Sequence, residues 1–169
     1  MKSYASPKLL RLAVFSVVLC PLAHSQELGA KGAVEPKAVI DAIDSHGAAA
    51  VVRELSAGKG SQWDAVIHGI EMGTPVWLDV AKKLLKATDA GRTTDLYFAL
   101  SLALTRNAAG VLSMAGPDLP IDRVCSVPYI EPDEKTIRTH RTRVRAALRR
   151  VTSTHLDSQK KACLNAIDR

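Results

Sequence analysis

The chain has 169 residues and a formal net charge of +6. Its length is that of one domain and is enough to bury a real core. No G-x-S-x-G, H-E-x-x-H, phosphate-binding glycine loop or CxxC occurs anywhere in it, so the common hydrolase, zinc-protease, nucleotide and redox signatures are excluded at the outset.

The N-terminus reads as an address label. Lys2, Lys8 and Arg11 precede an apolar run from Leu12 to Leu22, and Ala23 and Ser25 stand at −3 and −1 of a cut. This is the layout of a cleavable signal peptide over residues 1–25, and the run is about half of what a bilayer-spanning helix needs. Cys20 belongs to the signal core, since Leu19 and Pro21 fit a lipoprotein site poorly. Cleavage after Ser25 removes three positive charges and no negative one, which leaves a single domain over 26–169 at +3. The expected compartment is the periplasm.

Helical periodicity begins at Pro36, which suits a first helical turn, with Val39, Ile40 and Ile43 as a stripe. Gly47 interrupts, and Val51, Val52 and Leu55 continue as a second helix that ends at Gly58. Ser61 is an N-cap candidate for a third, with Trp63, Val66, Ile67 and Ile70 on one face and Gly73 as its stop. Thr74 and Pro75 open a fourth, in which Val76, Trp77, Val80, Ala81, Leu84 and Leu85 are expected to be buried. Asp89 and Gly91 read as exit and turn residues, so Thr93 or Thr94 is expected to start the next helix. That helix, LYFALSLALT, is apolar nearly all round, as an enclosed helix must be. Asn107 can cap a short helix holding Val111, Leu112 and Met114.

Residues 115–133 carry Pro117, Pro120, Pro128 and Pro132 and are expected to form a long Pro-rich loop, of a kind that is usually functional or mobile. The tail then holds a long basic helix, with Ile137, Val144, Leu148 and Val151 on one stripe and Arg138, Arg141, Arg145 and Arg149 on another. A terminal helix carries Leu156, Cys163, Leu164 and Ile167. No run reads as a strand. The expected fold is all-α: an irregular stack of short helix pairs in the style of HEAT-like α–α units, plus the long basic helix and the C-terminal helix.

Two cysteines remain after export, Cys125 and Cys163, and an isolated pair in an exported chain is most simply a disulfide. It would staple the Pro-rich loop to the terminal helix.

Charge is polarised. Residues 26–134 carry ten basic and fifteen acidic side chains, whereas 135–161 carry nine basic and one acidic. One reading is a solvated helix whose charges offset the acidic half internally. The sharper one is a face formed by Arg138, Arg141, Arg145 and Arg149, with Tyr129 from the loop, that docks a protein with an acidic surface, because arginine suits bidentate carboxylate recognition. Nucleic acid is not an expected partner: the basic helix has no aromatics for base stacking. A membrane surface ranks lower than a protein, because the helix lacks Trp or Phe on its apolar face.

Chemistry-bearing clusters are sparse. His68 and Glu71, one turn apart, make at most half a metal site, and Asp41 and Asp44 read as a solvated face. His140 lies at the edge of the apolar stripe as a packing residue. No catalytic residue, metal ligand or cofactor site is assigned.

The segments WDAVIHGI, GTPVWLDVAKKL, TDAG, ALSLALTRNAAGVL and VCSVPYIEP resemble an uncharacterised family of small exported all-helical proteins of Gram-negative bacteria. The resemblance covers about half of the mature chain and implies periplasmic residence and a helical fold, with no catalytic residue to carry over. The chain is also similar in class to helical periplasmic immunity proteins, which are small, disulfide-bearing and free of active sites. The functional expectation is a non-enzymatic periplasmic binding module of inhibitor or immunity type. The alternative is an envelope-associated structural protein that binds anionic lipid or wall polymer through its basic helix. The sequence assigns no oligomeric state.

Overall fold

A computed structural model of the chain describes residues 34–57 and 62–169, and among these residues there are helices and no strand. The expected signal peptide 1–25, Cys20, Gly58 and the cap candidate Ser61 lie outside the described residues.

Three pairs of helices form the front of the molecule. The first pair is α1 (Pro36–His46) and α2 (Ala48–Ser56). Gly47 joins them at φ 83°, a conformation that suits glycine, and its N–H closes on Ile43 O at 2.8 Å. The second pair is α3 (Gln62–Glu71) and α4 (Pro75–Leu84), joined through Gly73 at φ 67°. A Cβ on Gly73 would also meet Ala103 O at 3.2 Å, so the glycine serves both turn and packing. The third pair is α5 (Ala90–Leu104) and α6 (Ala108–Ser113). Neighbouring pairs pack on one another, α1 and α2 on α4, and α3 on α5. Asn107 ties two of them together: its side chain accepts from Gly110 N and donates to Gly73 O at 2.8 Å.

The core follows the apolar stripes, with Val39, Leu55, Trp63, Ile70, Leu84 and Leu100 all essentially inaccessible. On α5, Leu96, Ala99, Leu100, Ser101, Ala103 and Leu104 are all buried, which accounts for a sequence apolar nearly all round.

Helix α4 departs from expectation. Val76 is exposed and Trp77 half-buried, whereas Leu78, Val80, Ala81 and Leu84 form the inner face. Val76 precedes Asp79 by three residues and Lys83 by seven, so helical geometry puts it on the hydrated stripe. Trp77 lies flat against Gly69: a Cβ there would come within 2.3 Å of the indole. Helix α5 also starts earlier than expected. Asp89 is its N-cap, accepting from Arg92 N at 2.9 Å, and Gly91 is inside the helix.

The rear contains α7 (Ile121–Val124), α8 (Glu134–Arg149), a 3-10 turn (Thr154–Leu156) and α9 (Asp157–Ile167). Helix α7 corrects the expectation that 115–133 is loop throughout. Pro120 sits at its N-cap, where a missing N–H breaks nothing, and its carbonyl accepts from Arg123 and Val124. Cys125 follows at the C-cap and is bonded to Cys163 of α9, with Cα atoms 5.3 Å apart. The disulfide therefore joins two helices rather than pinning a loop. It closes a segment whose ends are 38 residues apart, worth about 4 kcal/mol by loop-closure entropy.

Candidate functional site

Helix α8 carries most of the positive charge of the rear. Asp133 caps it, accepting from Thr136 N at 2.6 Å, and that bond holds the Asp133 carboxyl below the usual carboxylate range. The inner stripe is His140, Val144, Ala147 and Leu148, with Val151 beyond the helix end. Ile137 is only half-buried, because the stripe is centred on His140 rather than on it. Arg141 is about two helical turns from Leu148, on the flank of that stripe. It is half-buried, and its Nε is buried without a hydrogen-bond partner.

The four predicted arginines do not stand alike. Arg138 pairs within its own helix with Glu134 at 3.2 Å. Arg145 pairs with Asp168, the C-cap residue of α9. Arg149 is exposed and, among the described residues, has no carboxylate partner; Arg143 and Arg150 are in the same position. Among the described residues no carboxylate from 34 to 131 pairs with α8. Three carboxylates of the acidic front pair within it. Asp41 bonds Lys37, Asp44 bonds Lys83, and Asp95 holds Arg92 and Trp63 Nε1. Asp41 and Asp44 are exposed, as expected of a solvated face.

Tyr129 is placed apart from the four arginines. It lines an open cleft of about 390 Å³ between the C-terminal ends of α3 and α5 and the first half of α8, which none of the four lines. Three cations do face that cleft: Arg106 from the turn after α5, and Lys135 and Arg143 from α8. Sequence reasoning missed them as a group because they meet only in the fold. Of the two carboxylates in the cleft, Asp133 is committed to the helix cap and Glu71 Oε2 lies 3.2 Å from His68 Nδ1.

His140 forms the inner wall of the cleft and is 4% exposed. The Ser101 hydroxyl donates to Ser126 O at 2.7 Å and so accepts from His140 Nε2 at 3.2 Å. Tyr129 meets the imidazole edge-on, ring centroids 6.1 Å apart. Burial pushes the His140 pKa below its ordinary value; the Ser126 carbonyl opposes this and the nearby Arg143 charge adds to it. A nucleophile–base pair needs the serine proton on the histidine side. Here it is directed at Ser126, and Ser101 is fully buried. The pair is packed in the interior, and His140 lies on the inner stripe of α8 rather than at its edge.

Beyond the cleft, the loop 128–132 presents Ile130 at 84% exposure, with Glu131 beside it at φ 51°, a left-handed value for a non-glycine residue. Among the described residues no cluster of three metal-ligating side chains occurs, and no helix is long and apolar enough to cross a membrane. No family model, curated protein or solved structure matches the chain.

Proposed function

We propose that the chain is a non-enzymatic periplasmic binding module, of inhibitor or immunity type, whose mature domain 26–169 engages a protein with an acidic surface through α8 and the loop before it. The observation that carries this reading is the idle charge of α8. Arg143, Arg149 and Arg150 are exposed without a carboxylate partner among the described residues, although the front of the same chain is acidic. An internally offset helix would have drawn those carboxylates to itself. Free guanidinium groups on a rigid helix are suited to carboxylates of another molecule. A disulfide between α7 and α9 fits an oxidising compartment. The stack of helix pairs α1 to α6, in the style of HEAT-like units, would serve as the rigid support.

The test is capture from periplasmic extract by the immobilised chain, in parallel with a variant carrying Arg143→Gln, Arg149→Gln and Arg150→Gln. The reading expects one saturable partner that the variant loses. Equal recovery by both proteins, or no saturable partner at low or moderate salt, would contradict it.

A second reading has one observation in its favour: exposed Tyr129 and Ile130 stand just before the basic helix, as in segments that touch anionic lipid or wall polymer. It expects sedimentation with anionic vesicles or wall polymer that collapses as salt is added, and that is lost on replacing Arg138, Arg141, Arg145 and Arg149 by Gln. Sedimentation unchanged by these substitutions would remove it.

A further inference from the structure

The cleft between α3, α5 and α8 has a definite chemical polarity. Arg106, Lys135 and Arg143 face it, and none of them has a carboxylate partner among the described residues. Thr136, Thr139 and Tyr129 add hydroxyls to its wall. Its two carboxylates are already engaged, Asp133 by the Thr136 N–H and Glu71 by His68. The lining thus sets three cations against two carboxylates, a small positive excess, and none of the three cations is itself ion-paired.

Met72 adjoins Glu71 in the chain and Ile130 adjoins Tyr129, and all three of Met72, Tyr129 and Ile130 are among the exposed large hydrophobic residues. The loop that carries two of them is braced at both ends. Pro128 is buried, Pro132 is half-buried, Cys125 is covalently fixed and Asp133 is committed to the helix cap. Such a loop loses little conformational freedom when it docks.

We infer that this cleft is the contact site for an acidic, partly apolar segment of a protein partner: one or two carboxylates enter against Arg106, Lys135 and Arg143, while apolar side chains cover Met72, Tyr129 and Ile130. This rests on the binding-module reading above and moves its centre from the outer arginine stripe to the first half of α8. Arg149 and Arg150, at the far end of the helix, are then not part of the contact.

The probe is the synthetic peptide Ac-Glu-Leu-Glu-Leu-Glu-amide, titrated into the oxidised, isotope-labelled full chain and followed by amide NMR shifts. A copy with Gln in place of Glu serves as its control. The inference expects saturable shifts concentrated at Arg106, Tyr129, Thr139 and His140, and about fivefold or greater weakening both for the Gln copy and for Arg106→Glu/Arg143→Glu. Arg149→Glu/Arg150→Glu should stay within about twofold, since exposed rim charges contribute little. All four residues are exposed and unpaired, and circular dichroism verifies that both variants fold.

If the Glu and Gln peptides bind equally, or no saturable shift appears, the cleft is not an acidic-segment site. Binding lost only with the Arg149/Arg150 pair overturns the cleft while leaving the basic helix as a binding face. Loss of partner capture from extract is a separate failure, of the binding-module reading itself.

Discussion

The front and the rear of the molecule are held together by different means. In α1 to α6 the stabilising element is apolar area: Trp63, Leu84, Leu96, Leu100 and Leu104 are sealed from water, and burying a side chain of this size contributes about 1.5–3 kcal/mol. Some of its acids and bases pair, as in Asp44–Lys83 and Arg92–Asp95, and Arg92 also lies 5.0 Å over the Trp63 ring. The rear buries Val144, Leu148 and Ile167 as well, but it adds a covalent bond and leaves most of its cations unpaired.

Breaking the disulfide should have the largest effect. Cys125→Ala/Cys163→Ala is expected to lower unfolding free energy by about 4 kcal/mol, read by urea denaturation. Hydrogen exchange should then show α7 and α9 opening first while α3 and α5 keep their protection. Equal loss in both regions would erase the contrast. The front should instead be sensitive to close packing. Gly69→Ala drives a methyl into the Trp77 indole and is expected to cost about 1–3 kcal/mol, whereas Gly91→Ala, on an exposed first turn, should cost nothing comparable.

Acid should sharpen the contrast further. The folded-state pKa of His140 is depressed by burial, so the folded protein binds the proton less readily than the unfolded chain. Its contribution to stability is then fully present above the unfolded value, near 6.5, and is lost as pH falls through the lower folded value. Unfolding free energy should decline over that window, with the loop around Tyr129 loosening before the front does. His140→Gln should flatten the decline; an unchanged slope in that variant would assign it to other groups. The smallest expected effect is at Glu131, whose φ of 51° is unfavourable for a side-chain-bearing residue. Glu131→Gly should raise stability by up to about 1 kcal/mol, seen as a higher urea midpoint at unchanged slope.

The helices were largely legible in the sequence because apolar residues recur at helical spacing and glycines mark the exits. The misreadings have local causes. Thr93 and Thr94 resemble caps, but the side chain that reaches a free N–H is that of Asp89, which accepts from Arg92. Pro120 looked like a breaker and is a helix start. Val76 was assigned inward by hydropathy although its spacing from Asp79 and Lys83 placed it outward. The disulfide was legible because only two cysteines follow residue 25. The cleft was not, since Glu71, Arg106, Tyr129 and Arg143 are far apart in sequence and no periodicity links them. The division of the arginine stripe was equally hidden, because Asp168 reaches Arg145 only through the packing of α9 on α8.

The central claim is that the fold does not use the outer cations of α8. Urea unfolding of the Arg143→Gln/Arg149→Gln/Arg150→Gln variant at low ionic strength tests it most directly. The predicted result is a free energy within about 0.5 kcal/mol of the parent, or slightly above it as repulsion is relieved. A fall of about 2 kcal/mol or more would mean that these charges hold the helix in place, and would contradict the account.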